Sequence, residues 1–328
     1  MPALLKAPTR IVRSRVFDST RWGGYRPRPD DIIIGTYSKC GTTWMQRIVG
    51  MLVFRSAAPR AIAQISPWFD MRLFGSIEEA LEAAEAQTHR RFLKTHLPLD
   101  ALPIYEGGKF IHIARDGRDA AMSLHNHLLN FSPELRSRLD EVSMGDPKFG
   151  DPYPPIPESP AAFFADWVTD GGSQGDPGAS FFHVENTYWE ARDQSNMLLV
   201  HYSDLKMDLG GEMRRVAAYL GLEIADSLWP ELIQAAGFKA MQAQGDVLLP
   251  HAKYAWNGGA ARFFNQGTNG RWRDVVSPSD LTRYEEAIDV HFPPDLAHWI
   301  ENGRLESAQN LKTAVDGSQA GLGRGVLR

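Results

Sequence analysis

The sequence has a single cysteine, Cys40, among 328 residues. That rules out an internal disulfide and a cysteine-built zinc site, and it suits a reducing compartment. Long apolar runs are missing too. The basic stretch around Lys6, Arg10, Arg13 and Arg15 leads into no apolar segment of leader length, and nothing later reaches membrane-spanning length. The expectation is a cytoplasmic protein that does not span a membrane. Runs of Lys or Arg are also lacking, and with a formal net charge of −5 the chain is poorly suited to nucleic acid. There is no internal repeat. What is present is globular in proportion: 43% apolar and 23% charged residues over a length that supports a sizeable core.

Asp31-Ile32-Ile33-Ile34-Gly35-Thr36 is a short β-branched run, the pattern of a strand buried on both faces. From Thr42 onward Trp44, Ile48 and Leu52 recur every four residues with Met45 and Val49 beside them, which predicts a helix with a broad apolar face. The same pattern returns downstream. Residues 92–95 and 110–114 read as strands, the second leading into a helix that holds Ala120, Ala121, Leu124 and Leu128. Residues 197–202 form another strand before a helix with Met213, Val216, Ala217 and Leu220. This alternation predicts an α/β fold, a single P-loop-like domain whose central, mostly parallel sheet is flanked by helices and takes ligands at the carboxyl ends of its strands. The domain spans 31–316, after an N-terminal extension (1–30) and before a Gly-rich tail (317–328). Between about 132 and 180 the periodicity fails among Pro and Gly residues, which reads as a long lid insertion. Ser277-Pro278 predicts a helix start, with Ser277 as N-cap.

The turn Gly35-Thr36-Tyr37-Ser38-Lys39-Cys40-Gly41-Thr42-Thr43-Trp44 joins a buried strand to a helix. Such a turn aims backbone N–H groups and the positive helix end at one spot, to which Lys39 adds a charge and Thr42 and Thr43 add hydroxyls. An ordinary helix-capping turn is the competing reading. The nucleoside-triphosphatase signature is excluded, because Lys39 precedes Gly41 and no Gly-Lys-Ser/Thr is present. Lys94-Thr95-His96-Leu97-Pro98 closes the second strand near the same rim. Arg115 closes the third, and Ser123 follows on the next helix, so the two can clamp a second phosphate. Lys39, His96 and Arg115 at three strand ends describe two anion sites beside one base.

At this point the chain resembles the cytosolic-type sulfotransferases that use 3′-phosphoadenosine 5′-phosphosulfate (PAPS). Residues 36–44 are similar to that family's 5′-phosphosulfate loop, 94–98 to its catalytic-histidine segment, and 115–123 to its 3′-phosphate segment. Tyr202-Ser203-Asp204-Leu205 matches its adenine-contacting strand end, and 264–273 its last nucleotide loop. The resemblance implies PAPS as co-substrate without a metal, His96 as general base, and Lys39 and Lys94 as charge stabilisers of the leaving group. It implies a nucleotide site of Lys39, Cys40, Gly41, Thr42, Thr43, Trp44, Arg115, Ser123, Tyr202, Phe238, Asn265, Gln266 and Gly267. Ser38 and Cys40 depart from a usual Pro and Ser. Asn265 and Gln266 depart from a usual Arg and Lys, so charge at the 3′-phosphate must come from elsewhere, with Arg262 and Arg271 as candidates. The family's dimer segment is not matched at 273–282, and the sequence sets no oligomeric state.

The implied reaction is sulfuryl transfer to a hydroxyl or amine of a small acceptor such as a phenol, alcohol, steroid or lipid. Trp68, Phe69, Phe74, Phe163, Phe164 and Trp167 are candidate walls for a hydrophobic acceptor, and core packing is the competing reading of each. His125 and His127 are read as acceptor-site lining, His112 as a buried, hydrogen-bonded histidine. Two rivals remain: a Mg²⁺-dependent P-loop kinase, and a nucleotide-binding protein of the same fold with altered catalysis.

Overall fold

A computed structural model describes residues 1–173 and 175–306; the expected tail at 317–328 lies outside them. Four strands form the central sheet: β1 (Ile32–Gly35), β2 (Phe92–Thr95), β3 (Lys109–Ala114) and β4 (Met197–His201). All neighbours are parallel, in the order β2-β1-β3-β4, with Gly35 level with Thr95 and His112, and Ala114 level with His201. Side chains alternate across the pleat, so Ile32 and Ile34 pack with Met45, Ile48 and Leu52, whereas Ile33 packs in a second cluster with Leu93, Phe110 and Tyr188. Each such isoleucine contributes roughly 1.5–3 kcal/mol by leaving water. Gly35 admits no side chain: a Cβ there would lie 1.9 Å from the Tyr188 hydroxyl.

The strand order creates the site. From β1 the chain passes through helix α1 (Thr42–Phe54) on one face, and from β3 through α2 (Gly117–Leu129) on the other. The loops leaving adjacent strands diverge, and a crevice opens between them.

The segment 132–180 is not one long loop. It contains helices α3 (Pro133–Met144) and α4 (Pro160–Asp170), each with Pro in its first turn and capped by Ser132 or Ser159. These are the same Ser-Pro starts that announce α6 (Pro278–His291), where Ser277 accepts from the Asp280 N–H as expected. Helix α5 (Phe181–Glu190) follows, capped by Ser180. Residues 1–30 supply core as well: Val12, Phe17, Trp22 and Tyr25 are buried, and Leu4–Lys6 pairs antiparallel with Ile104–Tyr105.

Candidate active site at the strand ends

The turn after β1 has two left-handed residues, Lys39 (φ 69°) and Gly41 (φ 115°). A Cβ on Gly41 would meet Ile113 Cδ1 at 2.8 Å and Tyr202 Cδ2 at 3.1 Å, so glycine is required by both conformation and space. Gly41 is also the N-cap of α1 and offers no side-chain cap, which leaves the first-turn N–H groups without intrahelical partners. Thr42 Oγ1 lies 2.5 Å from Thr36 Oγ1, and Thr42, Thr43 and Trp44 line a cavity of about 270 Å³. Cys40 does not. Its side chain is fully buried, its N–H donates to the Tyr37 carbonyl at 3.4 Å, and burial holds the thiol well above its usual pKa. Tyr37 is likewise turned into the core, donating to the Gly172 carbonyl and accepting from the Trp167 indole, each at 2.9 Å.

His96 follows directly on β2 and lines the same cavity. Its Nδ1 lies 2.8 Å from the Thr36 carbonyl, an acceptor only, so Nδ1 carries the hydrogen and Nε2 holds the lone pair. Burial, then the charges of Lys94 and Lys39, push the imidazole well below its usual pKa and keep it neutral near pH 7; the Thr36 bond opposes them. Trp68 joins His96 to Lys94: its ring stands perpendicular to the imidazole at 4.9 Å and carries the Lys94 ammonium 3.9 Å from its centroid. Burial lowers Lys94 to about 8, against the opposing charge of Asp70. Lys39 is lowered to about 7 by burial, then by Lys94 and Arg115. Its ammonium donates to His127 Nδ1 at 3.1 Å and sits 4.4 Å over the Phe263 ring.

Arg115 leaves β3 into the other side of the cavity. It donates to the Thr268 carbonyl and Asn269 Oδ1 at 3.0 Å, lies 4.3 Å over the Tyr202 ring, and has its Nε buried without a partner. Trp44 packs edge-on against Tyr202 at 5.3 Å, its indole N–H donating to the Ala236 carbonyl. Ser123, Phe238, Asn265, Gln266 and Gly267 line the same wall. Arg271 lines it too and makes no side-chain bond to a described residue, whereas Arg262 is exposed outside the lining. Gly270 N–H donates to both oxygens of Asp119 at 2.9 Å, tying this loop to α2.

The far half of the cavity is apolar, with Val16, Trp68, Phe74, Phe131, Trp256 and Phe263 on its wall. Of the expected aromatic walls, Trp68 and Phe74 reach it. Phe69, Phe163, Phe164 and Trp167 do not, being buried in the core, where Trp167 packs on Phe181 at 5.4 Å. The two histidines on α2 also part company. His127 faces the cavity between Phe131, Trp256 and Phe263, while His125 turns to the Pro157 carbonyl at 2.8 Å. A residue two positions along a helix points about 200° away, which is the reason. His112 is buried as expected, bonded to the Gly35 carbonyl and Glu185 and stacked on Tyr188.

Sequence reasoning missed Thr36, Asp70, Asp119, Trp256 and Phe263. Asp119 had a signal, since it lies in the stretch between Arg115 and Ser123. Asp70 and Trp256 had none, because only folding brings residue 70 against His96 and residue 256 against His127.

Three features suit a nucleotide carrying two separate anionic groups: the uncapped helix start beside Lys39, the partnerless Nε of Arg115, and the guanidinium of Arg271, which bonds no described residue and lines the cavity. The comparisons agree. Residues 29–301 match the sulfotransferase domain model. A glycolipid sulfotransferase of Mycobacterium tuberculosis is 34% identical over 312 residues, covering 90% of this chain and 94% of that protein. Sulfotransferase 1B1 of Canis lupus familiaris is 24% identical, covering 80% and 83%. Among solved structures, retinol dehydratase in complex with retinol and PAP shares the fold at TM-score 0.64 and 22% identity, covering 82% of this chain and 83% of that one. Mouse sulfotransferase SULT7A1 complexed with PAP follows at TM-score 0.62 and 20% identity, covering 84% and 88%. The chain belongs to the sulfotransferase family. It is a PAPS-dependent sulfotransferase, which sets aside the kinase reading.

Proposed function

We propose that the enzyme transfers the sulfuryl group of PAPS to a hydroxyl of a hydrophobic, lipid-like small molecule, with His96 as general base. The observation that carries this reading is the commitment of His96 Nδ1 to the Thr36 carbonyl, which leaves the basic Nε2 for an acceptor in the cavity. In the proposed step the acceptor O–H gives its proton to Nε2 while its oxygen forms the new S–O bond. The S–O bond to the 5′-phosphate breaks, and the departing charge falls to Lys39, Lys94 and the backbone of Gly41, Thr42 and Thr43. Arg115, Ser123 and Arg271 hold the 3′-phosphate, with Asn265, Gln266 and Gly267 closing over it. Trp44, Tyr202 and Phe238 surround the adenine. Cys40 shapes the loop from beneath.

An alcohol fits better than an amine. Asp119 is the one carboxylate on the described cavity wall and is already bonded to Gly270 N–H, so an ammonium acceptor would meet two lysines and no counter-charge. The 34% identical glycolipid sulfotransferase supports a lipid-like acceptor. The test is transfer from PAPS, with chelator present, across a panel of glycolipids, sterols, phenols and primary amines, alongside calorimetry with 3′,5′-adenosine bisphosphate. Turnover on apolar alcohols is expected. Bisphosphate binding without turnover on any of them would favour the nucleotide-binding protein of altered catalysis.

A further inference from the structure

Asp70 lies on the segment that follows Pro67 along the open edge of β2, where the Lys94 N–H donates to the Pro67 carbonyl at 3.0 Å. It is completely buried and forms no salt bridge with a described residue. An unpaired buried carboxylate is costly unless donors surround it. Here they do: Oδ1 accepts from the Trp22 indole at 3.2 Å, and Oδ2 from the Trp68 indole at 2.6 Å and the His96 backbone N–H at 3.3 Å. The Thr95 hydroxyl is a fourth donor. A carboxylate accepts all of these and offers no donor of its own, whereas an amide at the same place must turn its NH₂ toward one of them.

The donors are not equivalent. Trp22 belongs to the N-terminal core, while Trp68 is the ring on which both Lys94 and His96 rest, one on its face and the other at 90° to it. We propose that Asp70 is a positioning residue for sulfuryl transfer, holding the Trp68 indole and the His96 backbone on one oxygen and so setting the base and Lys94 in one frame. The inference rests on His96 being the base. Asp70 also supplies the anion that Lys94 otherwise lacks. The groups facing Lys94 are Lys39 from the phosphate loop, His96 beyond β2 and His127 from α2, none of them acidic. Asp70 itself is faced by Arg21 and Tyr188. Without the carboxylate, Lys94 loses its proton at lower pH.

The experiment compares Asp70→Asn, Trp22→Phe and His96→Ala by kcat, acceptor KM, the pH profile of kcat and bisphosphate binding. Asp70→Asn should lower kcat by up to about 10²-fold, the scale of a misplaced reacting group, with little change in acceptor KM, and move the alkaline limb of the profile to lower pH. Trp22→Phe removes a bond from the same carboxylate away from the cavity, and should leave kcat and the limb in place. Equal losses in the two variants, or a wild-type profile in Asp70→Asn, overturn the proposal. If Asp70→Asn no longer binds the bisphosphate, Trp68→Phe replaces it: the carboxylate stays, the indole N–H goes, and kcat should still fall. Wild-type kcat in Trp68→Phe overturns the proposal. Turnover in His96→Ala would instead overturn the base assignment, so the two failures are distinguishable.

Discussion

The two walls of the cavity are built by different means. The wall proposed for the nucleotide is made mostly of short contiguous stretches at the ends of the four parallel strands, where each residue's place follows from the strand that carries it, and is completed by Phe238 and the loop at 265–271. The apolar wall is gathered from residues near 16, 68–74, 124–139 and 241–264, brought together only by packing. Charge chemistry is thus concentrated where parallel strands end, because backbone N–H groups and helix dipoles converge there. Shape is left to distant segments, which touch the charged groups where Lys39 meets His127 and Phe263.

The strongest test of this division is His96→Ala. On the proposed mechanism it removes the base and should cost ~10²–10⁴-fold in kcat, with bisphosphate binding nearly unchanged by calorimetry. Near-normal turnover would take His96 out of the mechanism. Lys39→Ala comes next. One charge-assisted contact is worth about 1.5–3 kcal/mol, so kcat/KM and bisphosphate affinity should both fall, by roughly one to two orders of magnitude. The same lysine gives a pH dependence. Burial lowers Lys39 to about 7 and Lys94 to about 8, so both lose protons as pH rises through that window, and an anionic ligand must restore them. Affinity should weaken between pH 7 and 9, with proton uptake on binding in buffers of different ionisation enthalpy. Affinity independent of pH across that window would show that neither ammonium meets the ligand.

A smaller effect is expected from Asn265→Arg with Gln266→Lys. If Arg115 and Arg271 carry the 3′-phosphate alone, added charge should tighten 3′,5′-adenosine bisphosphate roughly tenfold and leave adenosine 5′-phosphosulfate unaffected. Equal tightening of both ligands would mean a diffuse field rather than a contact. The smallest effect belongs to the apolar wall. Phe74 lines the cavity yet is 55% exposed, so Phe74→Ala should raise acceptor KM a few-fold, leave bisphosphate affinity alone and shift stability by less than about 0.5 kcal/mol. A change in bisphosphate affinity would show that the walls are coupled.

The legible parts share one property. Lys39, Lys94, His96 and Arg115 each sit at or just beyond a strand end recognisable from its own few residues, and the structure brings all four to one cavity. The aromatic residues were harder to place, because an apolar side chain carries no mark of which apolar surface it joins. Phe163, Phe164 and Trp167 read equally well as pocket or core, and packing of Phe163 on His125, Phe164 on Tyr284 and Trp167 on Phe181 put them in the core. Helices α3 and α4 were hidden by the prolines around them, although Ser132-Pro133 and Ser159-Pro160 repeat the start signal that was recognised at Ser277.

By itself, then, the sequence determined the alternation of strands and helices, the turn between the first strand and helix, and the basic and cationic residues at the strand ends. Those depend on periodicity and on neighbours within a few positions. Only the tertiary structure decided that His96 would carry its hydrogen on Nδ1, that Lys39 would reach His127, and that Asp70 would hold Trp68 beneath both Lys94 and His96. Each of these joins residues on different segments of the chain, and such contacts exist only after the sheet has set its strand order and the core has closed around it.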